Sequence, residues 1–146
     1  MRYLLDTNIL VYAVDRNESD KRHEASALLR QVGASGGAML PAQTLAEFAN
    51  VSLRHLQPPL SPDDVYRIIE QFEQVFRVLP LTPAIVLEAV RGVRDHRLGY
   101  YDSQIWAAAR LNQVPYVLSE DFNTGATLDG VTFLNPFAKE FDVSNL

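Results

Sequence analysis

The chain has 146 residues, 47% apolar and 21% charged, a balance that matches one compact domain burying roughly 70% of its unfolded surface. The absence of cysteine excludes disulfides, thiolate metal sites and cysteine nucleophiles, and the three histidines (His23, His55, His96) form no HxxxH pair, so the chemistry left is that of oxygen ligands. A net charge of −5 argues, taken as a bulk property, against a polyanionic partner.

Asp6 interrupts the N-terminal apolar stretch before a secretory segment forms, and nothing approaches the roughly 20 apolar residues of a membrane-spanning helix. The expectation is a soluble, cytoplasmic chain with residues 1–146 in a single domain.

In chain order, Tyr3-Leu4-Leu5 is a short apolar run that ends at Asp6-Thr7-Asn8, and Ile9 to Val14 follows with helical spacing. A second helix is predicted over Asp20 to Val32, with apolar positions at Ala25, Leu28, Leu29 and Val32, stopped by Gly33 to Gly37. Ala38 to Pro41 reads as a strand. Ala42 to Leu56 reads as a helix packed on a sheet, broken at Gln57-Pro58-Pro59. Ser61 as N-cap with Pro62 at the first helical position starts another helix, running to about Val75. Val78 to Leu81 is a third strand, and Thr82-Pro83 opens a helix by the same cap chemistry, ending near His96.

Tyr101 to Leu111, rich in alanine, is a buried helix whose first turn holds Asp102. Pro115 to Ser119 is a strand leading to Glu120-Asp121, and Val131 to Leu134 is the last strand. Short apolar strands alternating with helices indicate an α/β fold with a mostly parallel sheet covered on both faces.

In such sheets functional groups gather at the carboxyl ends of the strands. Asp6 and Asp121 each follow a strand, Asp102 opens the helix that precedes the second of those strands, and Glu47 has core-side neighbours in Leu45, Phe48 and Ala49. Each acid alone has a plainer reading: Asp6 and Asp102 as helix caps, Asp121 as a turn residue, Glu47 as an ordinary half-exposed glutamate. Together they need a cation, because two like charges about 4 Å apart repel by roughly 4 kcal/mol at an effective dielectric of 20.

Carboxylates without imidazole or thiolate suit Mg²⁺ or Mn²⁺, and such ions favour phosphodiester hydrolysis. Thr7, Asn8 and Ser119 flank the acids as donors that steady the carboxylates, with helix capping and strand-end amides as their alternative roles. Tyr100, Tyr101 and Phe122 lie beside the acids and either pack in the core or stack on an unpaired base. Arg91, Arg94 and Arg97 recur every three residues and form a stripe that either contacts phosphates or is simply solvated.

Leu4-Leu5-Asp6-Thr7-Asn8, Glu47 within Gln43-Thr44-Leu45-Ala46-Glu47-Phe48, Tyr101-Asp102-Ser103 and Leu118-Ser119-Glu120-Asp121-Phe122 together resemble the PIN-domain family, in particular its VapC-like toxins. The order Asp, Glu, Asp, Asp, the spacing of 19 residues between the last two acids, and the closing Asn135-Pro136-Phe137 all fit that pattern. The resemblance implies a three-layer α/β/α fold with a four- to five-stranded sheet and a Mg²⁺- or Mn²⁺-dependent endonuclease acting on RNA. It also implies a homodimer and a cognate antitoxin that blocks the site. Many relatives carry a further acid just beyond the last aspartate, where this chain has Asn123 and Thr124, which puts a second metal in doubt. Glu120 is given no metal-ligating role, because Ser119 and Asp121 should point the other way.

Two rivals remain. A haloacid dehalogenase-type phosphatase also uses Mg²⁺ but needs an aspartate where Asn8 stands. A non-catalytic module that binds RNA or protein is opposed by the intact set of four acids.

Overall fold

The computed structural model describes residues 1–145. Its strands are β1 (Tyr3–Leu5), β2 (Ala38–Pro41), β3 (Arg77–Leu79), β4 (Tyr116–Leu118), β5 (Thr127–Leu128) and β6 (Val131–Leu134). They form one six-stranded sheet in the order β3-β2-β1-β4-β6-β5, parallel throughout except for β5 against β6. Six helices connect them: α1 (Thr7–Tyr12), α2 (Ser19–Ser35), α3 (Ala42–Arg54), α4 (Pro62–Val75), α5 (Pro83–His96) and α6 (Tyr100–Leu111).

Alternation along β1 sets the layers. Leu4 faces a core shared with Ile85 and Ala89 of α5 and Ile105 and Trp106 of α6. Tyr3 and Leu5 face the opposite core, with Ile9 of α1, Val32 of α2, Phe48 of α3 and Val65 of α4. The sheet is therefore covered on both sides, which is why its central strands β1, β2 and β4 are continuous apolar runs. The chain is a three-layer α/β/α fold, as expected, but its sheet has six strands rather than four to five.

Local chemistry sets the boundaries. Ser61 Oγ accepts from Asp64 N, and Thr82 Oγ1 accepts from Ile85 N, each with proline in the first turn. Helix α2 runs through Gly33 and ends only at Gly36, whose φ of 77° is the left-handed conformation a helix terminus favours. β3 lies at Arg77–Leu79 rather than at Val78–Leu81, because Pro80 has no N–H to continue a ladder. The sixth strand, β5, pairs with β6 through a turn in which Asp129 (φ 47°) and Gly130 (φ 84°) are both left-handed.

The strand order reverses at β1. The chain moves outward from β1 to β2 and β3, then returns through α5 and α6 to β4 on the other side of β1. A crevice opens at the carboxyl ends of β1 and β4, where α/β sheets place their ligands.

Candidate metal centre

Asp6 stands at that crevice, one residue past β1. Its backbone N–H donates to Leu118 O of β4 at 3.0 Å, which fixes the acid between the two central strands. Asp6 is 5% exposed. Its Oδ1 accepts from Thr7 N at 2.7 Å, so the capping role is real, and its Oδ2 accepts from Ser119 Oγ at 2.7 Å. Ser119 Oγ in turn accepts from Asp121 N at 3.0 Å. One hydroxyl thus ties the acid after β1 to the loop that carries Asp121.

Asp102 comes from the first turn of α6, where Gly99 is the N-cap and no side chain caps the helix. One carboxylate oxygen each from Asp6, Asp102 and Asp121 lie within 4.8 Å of one another. Glu47 lines the same cleft, of about 280 Å³, from α3. Thr7 Oγ1 donates to Glu47 Oε2 at 2.5 Å, and Gln43 Nε2 donates to Glu47 Oε1 at 2.8 Å.

Gln43 belongs to a buried chain of amides that composition and spacing did not reveal. Gln104 Nε2 donates to Gln43 Oε1 at 2.6 Å, and Gln43 Nε2 also donates to the Tyr101 carbonyl at 3.0 Å. Both glutamines are buried. The available signal was Gln43 standing four residues before Glu47, one turn along the same helix face.

Burial pushes the Asp6 carboxyl up to about 6, and repulsion from Asp121 and Glu47 adds to it, although the hydrogen bonds from Ser119 and Thr7 pull the other way. Asp102 is raised by burial and by the same two neighbours. Among the described residues, no lysine, arginine or histidine pairs with any of the four acids. Asn8 adds a buried carbonyl oxygen, Oδ1, with no hydrogen-bond partner, in a side chain that also lines the cleft. This donor set of hard oxygens fits a divalent cation such as Mg²⁺ or Mn²⁺.

The remaining residues named from sequence are elsewhere. Glu120 accepts from Tyr12 Oη at 2.8 Å and from Lys21 Nζ at 2.5 Å, and so is committed outside the acid trio. Phe122 stacks on Phe133 with ring centroids 4.0 Å apart, a packing role. Thr124 Oγ1 accepts from Asn135 N at 2.9 Å. Arg91 is held by Glu88, Asp95 and Asp129 and lies over the Trp106 ring, while Arg94 pairs with Asp95. Arg97 is exposed at the C-cap of α5.

The family model described as PIN domain matches residues 3–125. No curated protein matches the chain. Among solved structures, a toxin-antitoxin complex from Klebsiella pneumoniae is similar with TM-score 0.66 at 18% identity, covering 92% of this chain and 98% of that one. A DNA-bound VapBC from Salmonella typhimurium gives 0.65 at 16% identity, covering 91% and 96%. Mycobacterium tuberculosis VapC20, described as a sarcin-ricin loop cleaving toxin, gives 0.60 at 16% identity, covering 87% and 97%. No helix among the described residues is long and apolar enough to cross a membrane.

Proposed function

The chain belongs to the PIN-domain family, a family of nucleases, and on that premise we propose that it is a Mg²⁺- or Mn²⁺-dependent endoribonuclease, the toxin of a toxin–antitoxin pair. The observation that carries the reading is the convergence of Asp6, Asp102 and Asp121 within 4.8 Å with no basic side chain among the described residues paired to them.

Those three carboxylates would hold the ion, with Glu47 beside them. A divalent ion bound there supplies Lewis acidity toward a phosphate oxygen and toward the attacking water. Asp6 is fixed by Thr7 N and Ser119 Oγ, so its two oxygens are set before any ligand arrives. Glu47, steadied at Oε1 by Gln43 and at Oε2 by Thr7, is the group we assign to take the proton of the attacking water on its carboxylate. Hydrolysis then needs no covalent protein intermediate.

The similar structure from Klebsiella pneumoniae is described as a toxin-antitoxin complex, that from Salmonella typhimurium as a VapBC, and that from Mycobacterium tuberculosis as a sarcin-ricin loop cleaving toxin. We extend to this chain an RNA substrate, a cognate antitoxin and a homodimer. Of the arginine stripe, Arg97 has no ion pair among the described residues and is the one offered to phosphate.

The test is cleavage of structured and unstructured RNA by purified protein in Mn²⁺ and in chelator, beside Asp6→Asn. Cleavage confined to the wild type with metal supports the reading. Cleavage that persists in chelator or in Asp6→Asn removes the metal mechanism. No cleavage together with no metal-induced thermal shift favours a binding module.

A further inference from the structure

The acid cleft is continuous with a second groove of about 560 Å³, and the two share Thr7, Gln43, Glu47, Val51 and Tyr101. The groove's own lining has a different character. Ala42 and Ala46, one turn apart on α3, are small, and Leu81 is 49% exposed between β3 and α5. Tyr101 is 66% exposed, with its ring edge-on to Tyr100 at 5.3 Å between centroids, although its backbone carbonyl is tied to buried Gln43. An aromatic ring on a fixed backbone, left in solvent beside a reactive centre, loses little freedom on meeting a flat partner.

Charge narrows the occupant. Neither the groove nor the acid cleft has a lysine or arginine in its lining, whereas Glu47 borders both. A phosphate or an acidic peptide in the groove would meet carboxylate with no counter-charge. A neutral planar group with a polar edge meets no such penalty. Asn50 lines the groove with a complete amide, and Gln104, whose Nε2 is committed to Gln43, has its carbonyl oxygen left for a ligand donor.

We propose that this groove is a nucleobase subsite, which takes one unstacked base adjoining the phosphate held at the acids, with Tyr101 as the stacking surface and Asn50 and Gln104 at the base edge. The proposal rests on the endoribonuclease reading above. A base inside a duplex is stacked on both faces and cannot enter the groove. Base stacking on an aromatic side chain contributes about 1–3 kcal/mol, so it supplies affinity where phosphate-neutralising cations are lacking.

The experiment pairs cleavage with a binding signal that needs no turnover. Single-stranded RNA carrying 2-aminopurine at successive positions is titrated in Mn²⁺ onto Glu47→Gln protein, with and without Tyr101→Ala, and kcat/KM is measured for Tyr101→Ala and Tyr101→Phe in the otherwise native chain. Quenching is expected at one position, lost with Tyr101→Ala. On intact RNA, Tyr101→Ala should lower kcat/KM by roughly 10- to 100-fold, in line with the stacking free energy, and Tyr101→Phe should restore it. On RNA made abasic at the quenched position, wild type and Tyr101→Ala should cut alike.

An equal loss on intact and abasic RNA, no loss on either, or quenching indifferent to Tyr101→Ala overturns the subsite. A fall in oligomeric state on Tyr101→Ala, read by light scattering, without base-selective loss marks the groove as covered by a second copy and also overturns it. Tyr101-dependent quenching without any cleavage sinks the ribonuclease reading and leaves the base site standing. Cleavage that ignores the base does the reverse.

Discussion

Thr7 Oγ1 and Glu47 Oε2 stand 2.5 Å apart, joining the first residue of α1 to the middle of α3 across 40 positions of chain. The same threonine donates its backbone N–H to Asp6 at 2.7 Å, so one residue orients two acids at once. Thr7→Val keeps the shape and the backbone bond and removes only the hydroxyl. Cleavage should drop roughly 10- to 100-fold, as supporting-shell losses do, and Thr7→Ser should recover most of it. Loss in Thr7→Ser equal to that in Thr7→Val would show that packing of the methyl, not the hydrogen bond, is what matters.

Asp102→Asn should abolish cleavage and stabilise the metal-free protein. Asp102 makes no cap hydrogen bond, and burial and its acidic neighbours raise its carboxyl, so the charge is a burden in the empty cleft. Because the side chain is half-exposed, solvent screens part of the repulsion, and the gain should stay near about 1 kcal/mol, or a rise of roughly 2–4 °C in Tm. A lower melting temperature in chelator would assign Asp102 to helix stabilisation instead.

Asp6 predicts a pH dependence of definite sign. Its folded carboxyl titrates near 6 against 3.8 for the free group, so between those values the folded state binds more protons than the unfolded state. Stability from this group therefore falls as pH rises through the window, by up to about 3 kcal/mol, and is flat above it. In chelator, the melting-temperature advantage of Asp6→Asn over wild type should be larger at pH 7.5 than at pH 5. An advantage that shrinks with rising pH would contradict the raised value. Saturating Mn²⁺ should reverse the order at pH 7.5.

Gly92 of α5 packs against α6 without room for a side chain. A Cβ there would meet Ser103 Oγ at 2.2 Å and the Trp106 ring at 2.7 Å, and Ser103 Oγ already donates to Ala89 O at 2.6 Å. Gly92→Ala should cost about 1–3 kcal/mol through overpacking. Since Ser103 follows Asp102, it should also weaken cleavage and Mn²⁺ binding, read by thermal unfolding and metal titration in parallel. Undiminished stability would mean that the seam relaxes without strain.

Arg97→Gly separates backbone from charge. Arg97 holds a φ of 57° at the C-cap of α5, a conformation glycine adopts freely, so the variant should fold at least as stably as wild type. If its guanidinium meets a phosphate, the slope of log K against log salt for RNA binding should fall by about one contact. An unchanged slope would remove Arg97 from the interface.

The sequence was most informative where local chemistry and burial agree. Ser61-Pro62 and Thr82-Pro83 mark helix starts because the cap hydroxyl and the ring both act within one turn. Asp6, Asp102 and Asp121 were legible because each follows a strand or opens a helix, the positions a parallel sheet turns toward its crevice, and Glu47 because of its core-side neighbours. Gln43 and Gln104 were not, since their meaning lies in bonds made across 61 positions. The β5–β6 hairpin was missed although Asp129-Gly130 between Thr127-Leu128 and Val131-Thr132 is a strong turn signal; two residues are too few for alternation to register. Helix α2 outran its predicted stop because Gly33 tolerates helical backbone there, and only Gly36 takes the left-handed turn. The arginine stripe illustrates the converse limit: its spacing said nothing of Asp129, which arrives from 38 positions away to claim Arg91.

The pairing of β1 with β4, Tyr3 against Tyr116, also governs timing. The acid after the first strand acquires its hydroxyl donor, Ser119, and the carboxylate of Asp121 only once residues near 120 have been synthesised and inserted beside it. Until then the nascent chain carries the beginning of a cutting site without its other half. Long-range parallel pairing is slow to form, so the acid cluster is among the last parts of the fold to be finished, and no shorter nascent piece holds all of its carboxylates.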